Sequence, residues 1–131
     1  MFTHRPLRWG RVLLGGVFIE LTMLTIIVPL NSISEPTAYY LVPILAFATA
    51  FIFGRWAATP LERDFVLHGV LVAAVASLIY ITLTTATGAS VPLLFHLSHG
   101  VRLIGGAAGG WSAGRNRVSS GAVEVTAMGE R

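Results

Sequence analysis

Four stretches of the chain stay predominantly apolar for about twenty residues, the length a helix needs to cross a hydrocarbon core roughly 30 Å thick. They cover residues 12–30, 38–58, 65–87 and 91–113. The first carries one interior charge, Glu20, the third carries none, and the last carries Arg102. Between them lie NSISEPTA, RWAATPLERD and TGASVP, whose Asn, Ser, Gly, Pro and charged residues read as breaks or turns. The pattern predicts an all-α polytopic membrane protein, four transmembrane helices arranged as two hairpins. Residues 1–11 are expected to form a cytoplasmic N-terminal segment, 12–114 the transmembrane domain, and 115–131 a flexible cytoplasmic tail. No stretch outside the spans is long enough to bury a core of its own.

Composition agrees. Of 131 residues, 54% are hydrophobic and 11% charged, and the mean hydropathy is +0.74. A soluble domain carries about a quarter charged residues, so an ordinary cytosolic globule is excluded. The formal net charge of +3 does not indicate nucleic-acid binding in so apolar a chain. Cysteine is absent, which removes disulfides, thiolate metal sites and thiol chemistry.

The nine basic residues are all arginine, and their placement predicts topology. Arg5, Arg8 and Arg11 precede the first span, Arg55 and Arg63 fall between the second and third, and Arg115, Arg117 and Arg131 follow the fourth. The other two connections hold no Lys or Arg. The positive-inside rule therefore puts both termini and the middle connection in the cytoplasm, which makes the chain a multi-pass protein of a cell inner membrane. Trp9, Trp56 and Trp111 fall at the same boundary, and Tyr39 and Tyr40 at the opposite one. Arg5–Arg11 and Ser32-Ile33-Ser34 look like parts of a signal peptide, but the apolar run between them is longer than an ordinary h-region. Three further spans follow, so the first helix is expected to be retained.

A faint internal repeat accompanies this order. Leu14-Gly15-Gly16-Val17 matches Leu67-His68-Gly69-Val70, and Gly54-Arg55-Trp56-Ala57-Ala58 matches Gly109-Gly110-Trp111-Ser112-Ala113. It suggests two parallel hairpins related by an axis along the membrane normal; recurrence of Gly and Trp at cytoplasmic helix ends explains it equally well. Small residues four apart form stripes in three spans: Ala46, Ala50, Gly54 and Ala58; Gly69, Ala73 and Ser77; and Gly106, Gly110 and Gly114. Such stripes let helices approach closely where lipid offers no hydrophobic drive. Pro29 and Pro92 are expected to end helices or occupy first turns, and Pro43 to shape the second span.

Two interior charges stand out. Counted from Trp9 and Trp111 at about 1.5 Å per residue, Glu20 and Arg102 lie roughly 16 Å and 14 Å into the bilayer. Each costs on the order of 3 kcal/mol there, and two opposite charges at one depth suggest a mutual pair. Gly16 lies one turn before Glu20, and His99 and Gly106 flank Arg102 on its helix. The pair reads first as a structural lock on helix register, second as a proton-responsive carboxylate, third as an inter-subunit contact. His96, His99 and Arg102 form an i, i+3, i+6 series, but neither a zinc site nor a bis-histidine haem is expected. His68 lies at the wrong depth to share a haem, and no further zinc ligands are at hand. His68, four residues after Asp64, is read as a boundary residue.

No phosphate-binding loop, nucleophile elbow or paired-carboxylate arrangement is present, so no catalytic residue and no cofactor is expected. Gly15-Gly16-Val17-Phe18-Ile19-Glu20 resembles the first helix of small multidrug-resistance exporters. In that family the glutamate exchanges protons for cationic drugs. The other spans lack the family's aromatic and glycine motifs, and Arg102 opposes cationic cargo. The expectation is an accessory, scaffold or oligomer-forming subunit without catalysis, with the lipid bilayer and either further copies or another membrane protein as partners and no nucleic acid. The alternative is a dimeric proton-coupled exporter using Glu20.

Overall fold

In the computed structural model, residues 7–129 are described, with side chains through residue 117, and every regular element among them is an α-helix. They are α1 (Trp9–Ile33), α2 (Glu35–Ala58), α3 (Phe65–Thr87) and α4 (Leu93–Gly129). The first three are each long and apolar enough to cross a membrane. α4 falls outside that set, because His96, Ser98, His99 and Arg102 occupy its first turns.

Helix ends follow local chemistry. Only Ser34 separates α1 from α2, so the first connection is far tighter than its sequence suggests. Pro36, read as part of a break, sits in the first turn of α2, where a missing N–H costs nothing. Pro29, expected to end a helix, lies inside α1, four residues before its end. α3 stops at Gly88, whose φ of 65° is the left-handed conformation that glycine adopts freely. Beyond position 113, α4 continues as helical backbone to Gly129, with no proline to stop it. This crosses most of the segment expected to be flexible; residues 130–131 lie outside the described residues.

The distribution of side chains is that of a protein solvated by lipid. The interior is dominated by small residues: Ala46, Ala50, Ala57, Ala58, Ala73 and Ala76 are buried. The largest fully buried side chains are no bigger than Ile19, Val12 and Val72. Large apolar residues point outward, among them Leu21, Ile44, Ile52, Leu78 and Ile104. A surface that apolar is a liability in water and an asset in a bilayer.

α4 packs mainly against α2 and then α3, α1 packs on α2 and α3, and α2 touches α3. α1 and α4 lie on the long diagonal, with no backbone packing between them among the described residues. A strict two-fold exchange of the hairpins would make the α2–α3 and α1–α4 relations equivalent; they are not.

α4 meets α2 and α3 through glycine. A Cβ on Gly69 would lie 2.0 Å from the Gly106 carbonyl oxygen, and one on Gly106 would lie 2.3 Å from that of Gly69. A Cβ on Gly54 would meet the same Gly106 oxygen at 3.0 Å. Three helices thus cross where no side chain fits. α4 keeps this up on two faces: Gly105 and Gly109 abut Phe47 and Phe51 of α2, while Gly106 and Gly110 abut α3. Adding a methylene to a packed contact costs about 1–3 kcal/mol. Gly106→Ala should lose at least that in detergent unfolding, because the Gly69 backbone and the Ala73 Cβ that face it have no flexible end to move aside. Gly100→Ala, with nothing within 4 Å of its Cβ position, should be neutral or slightly stabilising.

Candidate functional site

The bundle places Glu20 of α1 against Arg102 of α4, both buried, at 5% and 3% exposure. The Arg102 Nη1–H donates to Glu20 Oε1 across the long diagonal. Length makes this possible: a guanidinium on its stem reaches where the backbones do not meet. Gly16, one turn before Glu20, lets α1 settle on α3, since a Cβ there would lie 2.5 Å from Val75 Cγ1. Gly106, one turn after Arg102, does the same for α4 against α3.

Beside the pair is a cavity of about 120 Å³. Its polar walls are Glu20, Arg102, His99, Ser98 and Tyr80, and the rest is apolar, including Met23, Ile27, Val42 and Phe95. Ser98 Oγ–H donates 2.7 Å to the Leu94 carbonyl oxygen, which uses its hydrogen and leaves its lone pairs. Arg102 Nε, both ring nitrogens of His99 and Ser77 Oγ are buried with no partner among the described residues. The Tyr80 and His99 rings lie 5.1 Å apart. Chemically this is a neutralised charge pair in an apolar chamber with spare hydrogen-bonding capacity around it. Such groups can hold position or bind a polar ligand.

His96 and His99 part company. His99 lines the cavity, whereas His96 is exposed. Three residues turn a helix by about 300°, so an i, i+3, i+6 series drifts roughly 120° from first to last. Ser98, four residues before Arg102, stays about 40° away and is buried with it. That spacing was the available signal for Ser98. Tyr80 continues the face marked by Gly69, Ala73 and Ser77, all buried. The apolar walls carried no signal of their own.

His68 is a structural residue at the other end. Its Nδ1–H donates 3.1 Å to the Asp64 backbone oxygen, and Arg8 N–H lies 3.4 Å from Nε2. The Asp64 carboxylate is not its partner; it lies 3.8 Å from Arg63 Nε at the surface. Asp64 itself has φ 60°, a left-handed turn into α3. At the same end Arg11 donates 3.1 Å to the Trp56 carbonyl and sits 4.8 Å over its ring, and Arg115 lies 5.3 Å over Trp111. Among the described residues no group of three or more His, Asp or Glu gathers to hold a metal.

The buried stripe residues Ala46, Ala50 and Gly54 of α2, Gly69, Ala73 and Ser77 of α3, and Gly106 and Gly110 of α4 lie at helix contacts. Compared with protein-family models, curated proteins and solved structures, the chain matches none. The exporter likeness of the first helix therefore rests on its own six residues.

Removing a buried hydrogen-bonding side chain while its partners stay costs about 1–3 kcal/mol. His68→Leu should lose that much in detergent unfolding, and His96→Ala should stay within about 0.5 kcal/mol of the parent.

Proposed function

We propose that this chain is a four-span protein of a bacterial-type inner membrane, with both termini cytoplasmic, acting without catalysis as an accessory, scaffold or oligomer-forming subunit. The observation that carries this reading is the Glu20–Arg102 pair: two helices whose backbones do not pack among the described residues are joined by a buried ion pair. A buried pair contributes little net stability yet punishes the loss of either member, which suits a device for fixing partner and register. The outward-facing apolar residues and the cluster of Arg8, Arg11, Trp56, Trp111 and Arg115 at one end support the membrane placement and its orientation. α4, though less apolar, serves as the fourth span because Ser98, His99 and Arg102 face the bundle.

A second reading, a dimeric proton-coupled exporter working through Glu20, is favoured by the cavity beside the pair. Four helices rarely enclose a pathway alone, so it requires a dimer.

Breaking one side of a buried pair costs about 3–5 kcal/mol, while apolar replacement of both is close to neutral. Glu20→Gln and Arg102→Leu should each destabilise the protein by that order in detergent. The double Glu20→Leu/Arg102→Leu variant should recover most of the loss. If Glu20→Gln leaves stability intact and abolishes a pH-driven flux in vesicles, the exporter reading replaces this one. Orientation is checked separately, by a reporter fused after residue 131 reading cytoplasmic and one inserted at Ser90 reading external.

A further inference from the structure

Two spaces lie in line in the half of the bundle remote from the three tryptophans. The inner one is the cavity of about 120 Å³ at Glu20 and Arg102. The outer one, about 440 Å³, is edged by Asn31, Ser32, Glu35, Thr84 and Ser90 at the helix ends. Ile27, Tyr80 and Phe95 line both, so side chains from α1, α3 and α4 form a partition between them. The Tyr80 and Phe95 rings stack at 6.5 Å, and Tyr39 braces Phe95 from α2 at 6.3 Å.

On the far side of the charge pair the way is shut. Gly106, one turn beyond Arg102, meets Gly69 and Gly54 so closely that not even a methyl group fits. Glycine packing therefore closes the inner space at the Gly106 end, and the outer space continues it toward the α1–α2 and α3–α4 connections.

We propose that they form a half-channel: a binding chamber for small hydrophilic solutes, entered from the Asn31–Glu35 end, gated by Ile27, Tyr80 and Phe95, and blind at Glu20–Arg102. The inner volume sets the size, since a water takes about 30 Å³ and the cavity thus holds a few non-hydrogen atoms. The charge class follows from the walls. Glu20 and Arg102 cancel each other, and among the described residues Glu35 is the sole formal charge edging the outer space, so neutral and singly positive solutes are admitted in preference to anions. Arg102 and His99, with nitrogens that no neighbour satisfies, supply the hydrogen-bonding end. This inference rests on the membrane reading above but not on the accessory role.

The absence of native cysteine makes the test direct. Ser98→Cys and Val42→Cys place a thiol on the cavity wall from two helices, each alone in the full chain. They are exposed in sealed vesicles of either orientation to charged, membrane-impermeant methanethiosulfonate reagents. Asn31→Cys marks the outer end, and Ile104→Cys marks the outward, lipid-facing surface. The cationic reagent should modify Ser98→Cys and Val42→Cys only from the side that modifies Asn31→Cys. Phe95→Ala should speed that reaction about tenfold, and the anionic reagent should lag by a similar factor that Glu35→Gln shrinks. Ile104→Cys should stay unmodified. Modification of the wall thiols from both sides, or none in the Phe95→Ala background while Asn31→Cys reacts, overturns the proposal. Modification of Asn31→Cys and the wall thiols together, but from the cytoplasmic side, would reverse the orientation and leave the half-channel standing.

Discussion

Hydrocarbon offers a charge no partner, and the arrangement of the four helices answers that constraint. Glu20 and Arg102 belong to the two helices that do not pack on each other, so their contact spans the bundle rather than lining one seam. An aspartate or a lysine in either place would change the reach or the planar fork that meets the carboxylate. Everything between the two must leave room for them: Ser98 turns its hydroxyl back onto its own helix, and Met23 and Val42 supply flexible or compact walls.

The glycine crossing explains why that room stops one turn beyond Arg102. α2, α3 and α4 are drawn together at Gly54, Gly69 and Gly106, so near that point the bundle has no interior volume to hold a side chain. Farther along, α3 presents Tyr80 and α4 presents Phe95 and His99, whose bulk holds the helices apart. The charge pair sits between the glycine crossing and these rings. Because dispersion and close backbone contact replace the hydrophobic drive in lipid, the glycine end is also where cohesion concentrates.

Much of this was legible in the sequence for simple reasons. Helix number and type follow from runs of apolar residues bounded by Gly, Pro and charge, and the third segment coincides with α3 at Phe65–Thr87. The stripes at Ala46, Gly69 and Gly106 follow from a four-residue period. Equal depth suggested a Glu20–Arg102 contact, and the structure brings the two together. What the sequence withheld depends on angles and on neighbours far along the chain. His96 was grouped with Arg102 by a three-residue period whose drift carries it to the surface. His68 reads as a boundary residue, but its contact with the backbone oxygen of Asp64 depends on the left-handed backbone at that residue, which is invisible in composition. The cavity is built by Ile27, Val42, Tyr80 and Phe95 from four helices, and no local pattern announces such a meeting.

The single residue joining α1 to α2 has a mechanical consequence. Sliding one helix past the other by a turn needs about 5.4 Å of slack, and Ser34 alone cannot supply it without unwinding a helix end. Piston-like travel is thus forbidden to the first hairpin, which can only tilt as a stiff strut about its tip. The longer links at 59–64 and 88–92 carry no such restriction. A rearrangement of the first hairpin would hinge at Ser34 and swing the acid of α1 in an arc, changing its distance from the guanidinium far more than its depth.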